Sequence, residues 1–412
     1  MPVVPASALP SSTLGIYVSI PFCRAKCSYC NFASGVFGSE RMNAYVDRLV
    51  EEIRQTPRRV QKWRARLPAQ AGTVYFGGGT PSLLSLQQIQ IIVDALHDVF
   101  SLHSTAEITL ECAPGQLSDS LLATLPGLGF NRVSLGVQSF VDREAAAVGR
   151  LHTQALVLEE IDRLRRAGME DINVDLIAGL PHQTAASWQS SLDQALASGV
   201  PHLSVYMLDV DEDSRLGREM LADGERYGAT HVPDEQAIAG MYTAACEQFA
   251  AADVAQYEIS NFARPGCESR HNLKYWTRQP YLGFGLDAHS FLATENGNAV
   301  RVGMTDDLAE YLKGDAPESI TPVSRAEAME ESWFLGLRLT AGVAMAEMER
   351  KFGNAAVSAF RSVLVECEQE GLLARNADRV RLTPRGRLFA NDVFARFLGV
   401  ESKPETQEVM LA

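Results

Sequence analysis

The segment IYVSIPFCRAKCSYC, residues 16–30, joins an apolar run to a cluster of cysteines. Residues 16–20 are rich in β-branched and aromatic side chains, so they predict a buried strand. Cys23, Cys27 and Cys30 follow this run almost at once. Three of the seven cysteines in the chain therefore lie within eight residues, immediately after the first predicted strand.

The same succession of elements continues beyond this segment. Short β-rich runs recur at residues 73–76, 107–110, 132–137, 172–177 and 203–207, and segments with helical spacing lie between them at 41–55, 86–100, 118–125, 154–166 and 185–197. Strands and helices that alternate at intervals of about thirty residues are typical of βα units around a parallel sheet. Six units are visible, and a closed barrel needs eight. The sequence therefore predicts an α/β fold with an open, partial (β/α)6 barrel.

The pattern changes after about residue 211. Predicted elements there are a helix at 233–250, a short strand at 257–262, a glycine- and aromatic-rich stretch at 281–292, helices at 324–340 and 354–369, a short wing at 379–386 and a last helix at 387–397. The end of the chain resembles a small winged-helix-like cap. We predict four parts: a flexible N-terminal tail (1–13), the barrel (14–230), a linking α/β region (231–320) and a C-terminal helical domain (321–412).

The composition narrows the class of protein. With 412 residues, 46% of them hydrophobic and 21% charged, the chain is typical of a globular protein rather than a fibrous or disordered one. Its net charge of −14 argues against a nucleic-acid partner, because phosphate backbones attract basic proteins. We find no apolar run of about 18 residues and no signal-peptide pattern, and the few cysteines do not suggest a disulfide scaffold. We therefore expect a cytoplasmic protein without a transmembrane segment.

Three thiolates on one short loop predict a metal centre. Structural zinc sites almost always close with four protein ligands, and no fourth Cys or His follows locally. Iron–sulfur clusters are held by cysteine thiolates, and three of them would leave one iron open to another ligand. The loop also follows the carboxyl end of a strand, where parallel barrels carry their reactive groups. The alternatives are a zinc site and three unrelated buried thiols.

The Cys-x3-Cys-x2-Cys pattern, with the aromatic Tyr29 before its third Cys, resembles the radical S-adenosylmethionine (radical SAM) superfamily. Five further stretches occur in the order of one of its branches: YVSIPFC (17–23), FGGGTPS (76–82), ECAPG (111–115), SLGVQSF (134–140) and VDLIAGLP (174–181). This set resembles the branch that contains oxygen-independent coproporphyrinogen III oxidase and the HemW-type haem chaperones. The resemblance implies a [4Fe–4S] cluster on Cys23, Cys27 and Cys30, and S-adenosylmethionine (SAM) as a cofactor.

The resemblance also implies a set of SAM-binding residues. They are Tyr17, Tyr29, Gly78, Gly79, Thr80, Glu111, Gln138, Arg150 and Asp175. The chemistry agrees, since glycine lets a main chain approach a ligand closely and a guanidinium pairs with a carboxylate through a planar fork. Each residue also has a plainer interpretation, Glu111 or Gln138 as an internally paired polar group and Arg150 as a surface charge. No catalytic residue is assigned.

Residues 271–276, HNLKYW, match the His-Asn-x-x-Tyr-Trp pattern of HemW-type proteins, which is associated with haem binding. The resemblance implies that His271 ligates haem iron and that Tyr275 and Trp276 cover the macrocycle. The alternative is a histidine that packs among aromatic side chains at a domain junction. Cys267 lies four residues before His271 and would also reach an iron if that stretch were helical.

Two departures favour the chaperone over the oxidase. The oxidase carries a further Cys two positions beyond the third cluster Cys, where this chain has Phe32, and it has a longer segment before the cluster. The first hypothesis is therefore a haem chaperone that binds haem or a porphyrin and serves a haem-acceptor protein, with a reductant such as flavodoxin or ferredoxin. The alternative is a coproporphyrinogen III oxidase-like oxidoreductase of porphyrin biosynthesis, so enzymatic activity stays open. The third hypothesis is a zinc-stabilised α/β protein without SAM chemistry.

Overall fold

The protein is described by a computed structural model that covers residues 13–314 and 318–400. All but the last residue of the predicted N-terminal tail lies outside these ranges. Six parallel strands form the centre of the main sheet: β1 (Leu14–Ile20), β2 (Ala71–Gly78), β3 (Leu102–Cys112), β4 (Arg132–Gln138), β5 (Asp171–Ala178) and β6 (His202–Met207). All six coincide with predicted strands.

Helices connect these strands and cover the outside of the sheet. They are α1 (Ser39–Arg54), α2 (Thr56–Lys62), α3 (Leu86–Val99), α4 (Asp119–Thr124), α5 (Asp142–Ala147), α6 (Gln154–Arg166) and α7 (Ala185–Ala197). Polar caps fix where they begin: Ser85 and Thr184 each form a capping box, and Thr153 accepts a backbone N–H of α6. In α6, Val157, Ile161 and Leu164 are buried at helical spacing, so one face of the helix packs on the sheet.

The segment 215–323 adds strands to both edges of the sheet. Its elements are α8 (Arg215–Leu221), α9 (Glu235–Ala251), β7 (Ala255–Gln256), β8 (Asn261–Ala263), α10 (Arg270–Trp276), β9 (Tyr281–Phe284), β10 (His289–Ala293), β11 (Ala299–Gly303), α11 (Leu308–Leu312) and β12 (Ser319–Val323). Strand β9 pairs in parallel with β1, and β8 pairs antiparallel with β6. The resulting sheet runs β12-β11-β10-β9-β1-β2-β3-β4-β5-β6-β8-β7, with β12 and β7 at its ends. The predicted open barrel is confirmed.

The predicted strand at 257–262 is wrong for most of its length. Strand β8 begins only at Asn261, and the preceding residues form a loop around the buried Glu258 carboxylate. This carboxylate accepts the backbone N–H of Ser260 at 2.9 Å and the side-chain amide of Asn261. Local hydrogen bonds of this kind replace the ladder bonds that a continuous strand would need.

The C-terminal region has its own hydrophobic core, in which the Phe360 and Phe397 rings stack and Trp333 packs against both at a tilt. It consists of α12 (Arg325–Arg338), β13 (Val343–Ala344), α13 (Met345–Phe352), α14 (Asn354–Ser358), α15 (Arg361–Gln369), β14 (Leu373–Asn376), β15 (Arg379–Leu382), α16 (Pro384–Leu388) and α17 (Ala390–Ala395). The sheet order is β13-β15-β14. The predicted helix at 354–369 is broken between α14 and α15, and the predicted last helix is two short ones, the first of which begins at the Thr383 cap.

None of the helices in the described ranges has the length and apolar character that crossing a bilayer requires.

Candidate functional site

The cysteine loop and the glycine loop lie side by side at the carboxyl ends of β1 and β2. We call this end of the barrel the mouth. The backbone N–H of Gly79 donates to the Ile20 carbonyl at 2.8 Å, and that of Thr80 donates to the Phe22 carbonyl at 2.7 Å. The Thr80 hydroxyl also lies 3.9 Å from the Cys23 sulfur. The two loops are therefore joined by backbone hydrogen bonds beside the first cluster cysteine.

All three predicted cluster cysteines are free thiols. Cys27 is buried, whereas Cys23 and Cys30 are partly exposed, and burial raises the pKa of the Cys23 thiol. Within residues 13–314 and 318–400, no three His, Cys, Asp or Glu side chains are placed to hold a metal ion. Three free thiols on one short loop fit the donor set of an iron–sulfur cluster, which is held by cysteine thiolates.

Glycines leave the space in which the mouth side chains meet. A Cβ at Gly77 would lie 2.9–3.1 Å from atoms of Tyr75, Tyr17 and Glu111. A Cβ at Gly79 would lie 2.7 Å from the Phe22 carbonyl oxygen. Gly78 adopts a φ of +104°, which side chains other than glycine rarely tolerate. The glycine run therefore serves close approach and backbone geometry.

Glu111 is the carboxylate at the centre of this group. It accepts a hydrogen bond from the Tyr75 hydroxyl at 2.8 Å. Burial raises the pKa of the Glu111 carboxyl to about 7; the Tyr75 hydrogen bond lowers it and the nearby Asp175 raises it. The carboxyl therefore titrates close to neutral pH, where its charge responds to whatever ligand contacts it.

Asp175 is held by its neighbours on the barrel wall. Its two carboxylate oxygens accept hydrogen bonds from Ser134 at 3.0 Å and from Asn173 at 2.8 Å. Burial raises the pKa of this carboxyl above its ordinary value. Because both oxygens are already paired from one side, Asp175 is fixed in orientation and keeps lone pairs for a further donor.

Arg150 follows α5 and reaches the same wall. Its Nη2 donates to the Gly136 carbonyl at 2.6 Å, at a point where glycine leaves room for the guanidinium. Burial alone would lower the pKa of Arg150, but Tyr29, Cys27 and Asp175 together raise it. Its buried Nε has no hydrogen-bond acceptor among the described residues. The side chain is therefore not the surface charge of the plainer interpretation.

Several residues of the candidate site are partly exposed to solvent. Tyr17, Tyr75, Glu111 and Asp175 each retain some solvent contact at positions where their neighbours on the strand are buried, and Tyr206 at the end of β6 is 42% exposed. Gln138, at the end of β4, is buried and has a φ of +69°. The solvent contact of these side chains indicates that the barrel wall is not tightly packed where they lie.

Tyr75 and Tyr206 were missed from the sequence. Tyr75 pairs in register with Tyr17 and lies two residues before Gly77, so the period of two along a strand was the signal that could have found it. Tyr29 lies on the cysteine loop and packs against a small cluster of Val148, Ile177 and Leu180.

The predicted haem residues lie at the opposite end of the barrel, on α10. His271 is 1% exposed, and both its ring nitrogens are engaged, Nδ1 with the Thr73 hydroxyl and Nε2 with the Tyr275 hydroxyl, each at 2.8 Å. Burial, assisted by Lys274 and Arg132, lowers the pKa of His271 to about 3. The ring is therefore neutral and fully paired.

The carboxyl end of α10 and the residues after it face the C-terminal region. The Trp276 ring lies 4.2 Å from the guanidinium carbon of Arg338 on α12, and Arg278 donates to Glu331 at 2.8 Å. Cys267 lies in the turn before the helix, which begins at Arg270, so it does not share a helical face with His271. The pattern at 271–276 thus occupies a junction between the barrel and the C-terminal region.

Comparisons with known proteins agree with this architecture. Residues 17–195 match the radical SAM superfamily, and residues 323–389 match the HemN C-terminal domain. The heme chaperone HemW of Bacillus subtilis is 35% identical over 386 residues, which cover 93% of this chain and 98% of that protein. The chain belongs to the HemW family. The HemW of Escherichia coli is 30% identical over the same length, with the same two coverages.

The solved structure of coproporphyrinogen III oxidase (HemN) from Escherichia coli, a radical SAM enzyme, shares the HemW-family fold of this chain. It matches with a TM-score of 0.78 at 22% identity, covering 95% of this chain and 91% of that one. At this identity the likeness shows the fold alone. The predicted resemblance and fold class are confirmed, whereas the individual site residues stay predictions.

Proposed function

We propose that this chain is a haem chaperone on a radical SAM scaffold, which binds haem and delivers it to an acceptor protein. The observation that carries the proposal is similarity along almost the whole chain to relatives that bear the name heme chaperone HemW. The geometry of the mouth supports it, because the free thiols, the glycine loop and the buried polar groups lie together at the carboxyl ends of the strands.

The residues divide into two sets of roles. Cys23, Cys27 and Cys30 would hold a [4Fe–4S] cluster, which when bound supplies a redox centre with one iron open to SAM. Arg150 would pair with the SAM carboxylate through its unpaired guanidinium N–H. Glu111, Asp175 and Gln138 suit the ribose hydroxyls and the ammonium group, and Tyr17, Tyr29 and Thr80 enclose the site with the backbone of Gly78 and Gly79.

Haem is the proposed cargo, and a haem-acceptor protein and a reductant such as flavodoxin or ferredoxin are the proposed partners, in the cytoplasm. The prediction that His271, Tyr275 and Trp276 bind haem needs a conformation other than the one described. In the described one, an iron ligand at His271 would have to displace the hydroxyl of either Thr73 or Tyr275.

The oxidase alternative has weaker support. The structural likeness to the oxidase shows the fold, and the relatives with high coverage carry the chaperone name. Phe32, which stands in place of the further Cys of the oxidase, is 62% exposed on the cysteine loop. We therefore do not propose coproporphyrinogen III as a substrate.

Cluster assembly tests the first half of the proposal. Anaerobic reconstitution with iron and sulfide is expected to load about four of each per wild-type chain. Cys23→Ser, Cys27→Ser and Cys30→Ser should each lose most of this iron and sulfide. Cys246→Ser is the matched control, since its thiol contacts Gln256 and lies outside the cysteine loop. Bound zinc without sulfide in the wild type would contradict the cluster assignment.

Haem binding and release test the second half. Titration of the reconstituted protein with haemin should produce a saturable Soret shift near one equivalent. Apomyoglobin added afterwards should acquire haem faster from this protein than from serum albumin loaded with the same amount of haemin. Absence of a saturable Soret change in the wild type would refute the chaperone function, whatever the outcome of the cluster assay.

A further inference from the structure

Helix α10 lies at the amino-terminal end of the barrel and packs against its strands. The Glu107 carboxylate of β3 accepts the backbone N–H groups of Arg270 and His271, at 2.8 and 2.9 Å. The buried Lys274 ammonium donates to the Thr13 hydroxyl and to Gln279, each at 3.1 Å. These contacts fix both ends of the helix against the strands, so the position of the His271 ring is set by the barrel.

The His271 ring makes a stacking contact inside the barrel. Its plane lies 27° from that of the Tyr75 ring, with the centroids 5.2 Å apart. Tyr17 lies on the same group, 6.1 Å from Tyr75 and 6.4 Å from His271. Hydrogen bonds to Thr73 and Tyr275 hold the imidazole on both sides. The ring therefore supports one face of Tyr75 and cannot turn without losing both bonds.

Tyr75 connects His271 to the mouth through the hydrogen bond of its hydroxyl. Its hydroxyl donates to Glu111 at 2.8 Å, and Glu111 is one of the proposed SAM-binding carboxylates. One unbroken set of contacts thus runs from α10 through His271 and Tyr75 to Glu111. An aromatic ring stacked on a rigid neighbour has little freedom, so the direction of the Tyr75 hydroxyl depends on the ring beneath it.

We propose that His271 is a positioning residue for the SAM site, which holds Tyr75 so that the Tyr75 hydroxyl orients Glu111. The inference rests on the proposed SAM site and gives the pattern at 271–276 a role that needs no haem iron. The buried imidazole, with both nitrogens hydrogen-bonded, packs against one face of the Tyr75 ring. Trp276 on the same helix contacts Arg338 of the C-terminal region.

The charge of Glu111 provides a readout of this support. The groups that face its carboxyl are Tyr75 and the Gly78 backbone on β2, Tyr17 on β1, Arg132 on β4, Asp175 on β5, Tyr206 on β6 and Tyr275 on α10. The Tyr75 hydroxyl stabilises the charged carboxylate, whereas Asp175 opposes it. SAM donors need the charged form, so SAM affinity should fall as the pH is lowered through about 7. Loss or displacement of the Tyr75 hydroxyl should move this midpoint to higher pH.

The test measures SAM affinity by equilibrium dialysis between pH 6 and 9 on anaerobically reconstituted protein. Tyr75→Phe keeps the ring but removes the hydroxyl, and we expect about tenfold weaker binding at pH 7 with a higher midpoint. His271→Ala removes the support and should give a change in the same direction, about threefold to tenfold. His271→Phe restores a stacking ring that cannot ligate iron but makes neither hydrogen bond. It should therefore recover most of the SAM affinity that His271→Ala loses. His289→Ala, an exposed histidine on β10, is the control.

The proposal is overturned if His271→Ala leaves SAM affinity and its pH midpoint unchanged, or if His271→Phe fails to restore them. If His271→Ala does not fold, an unchanged pH midpoint of SAM binding in Tyr75→Phe would overturn the proposal instead. Wild-type protein that does not bind SAM would instead refute the proposed SAM site itself, together with this inference.

Discussion

Replacement of Glu107 by Ala should destabilise the protein through the first turn of α10. The carboxylate is 4% exposed and accepts two backbone N–H groups, at 2.8 and 2.9 Å. A buried donor left without an acceptor costs about 1–3 kcal/mol, and the partly buried Arg270 N–H should cost less than the buried His271 N–H. The free energy of unfolding should therefore fall by about 2–4 kcal/mol. The partly exposed ion pair between Glu107 and Arg270, at 3.6 Å, adds little to this sum.

Asp307 supplies a matched control for this prediction. It also accepts two backbone N–H groups at the start of a helix, at 2.7 and 2.9 Å, but it is exposed to solvent. Water replaces the lost acceptor there, so Asp307→Ala should cost only about 1 kcal/mol. The difference between the two variants therefore isolates the effect of burial at an equal number of hydrogen bonds.

Urea unfolding followed by far-UV circular dichroism, with hydrogen exchange at the Arg270 and His271 amides, provides the measurement. Faster exchange should be confined to α10 and its neighbours in Glu107→Ala. Glu107→Gln keeps one acceptor and should fall about halfway between the wild type and Glu107→Ala. If Glu107→Ala and Asp307→Ala destabilise the protein equally, the described role of α10 as a helix fixed by the barrel wall is refuted.

Three further changes test other parts of the structure. Gly79→Ala places a Cβ 2.7 Å from a backbone carbonyl oxygen, so it should lower both the melting temperature and the iron content after reconstitution. Gly240→Ala is the control: nothing lies within 4 Å of its Cβ, and it should raise the free energy of unfolding by about 0.5–1 kcal/mol. Arg338→Met leaves the buried Glu258 carboxylate without its cation, at a cost of about 3 kcal/mol in urea unfolding. The pKa of His271 is about 3 in the folded protein and about 6.5 in the unfolded one, so the free energy of unfolding decreases as the pH falls below 6.5. Between pH 6.5 and 5, urea unfolding should show that the wild type loses about 2 kcal/mol more than His271→Phe.

The parallel strands could be predicted from the sequence because their signal is local. Each carries a short apolar, β-rich run, and the turns and caps between them are marked by polar residues. The pairing of β9 with β1 could not be predicted in this way, since it joins segments more than 260 residues apart. The loop at 257–260 was misread as a strand because its apolar and aromatic residues do not reveal that Glu258 accepts local hydrogen bonds.

The candidate site likewise contains some residues that could be predicted from local sequence signals and others that could not. The cysteines follow the end of β1, and the glycine run and Glu111 lie at the carboxyl ends of β2 and β3, so their convergence is a consequence of the barrel. Tyr75 lies within β2 and reaches the site only because of the pleat, for which its residue type gave no separate signal. The surroundings of His271 were equally hidden, since its partner Thr73 is 198 residues away in sequence.

The hydrogen bonds that join Gly79 to Ile20 and Thr80 to Phe22 have a consequence for binding thermodynamics. Folding orders these two loops as one unit, so the loss of conformational entropy that accompanies loop closure has already taken place before a ligand arrives. A ligand that contacts both loops would therefore bind with a smaller unfavourable entropy than one that had to bring them together.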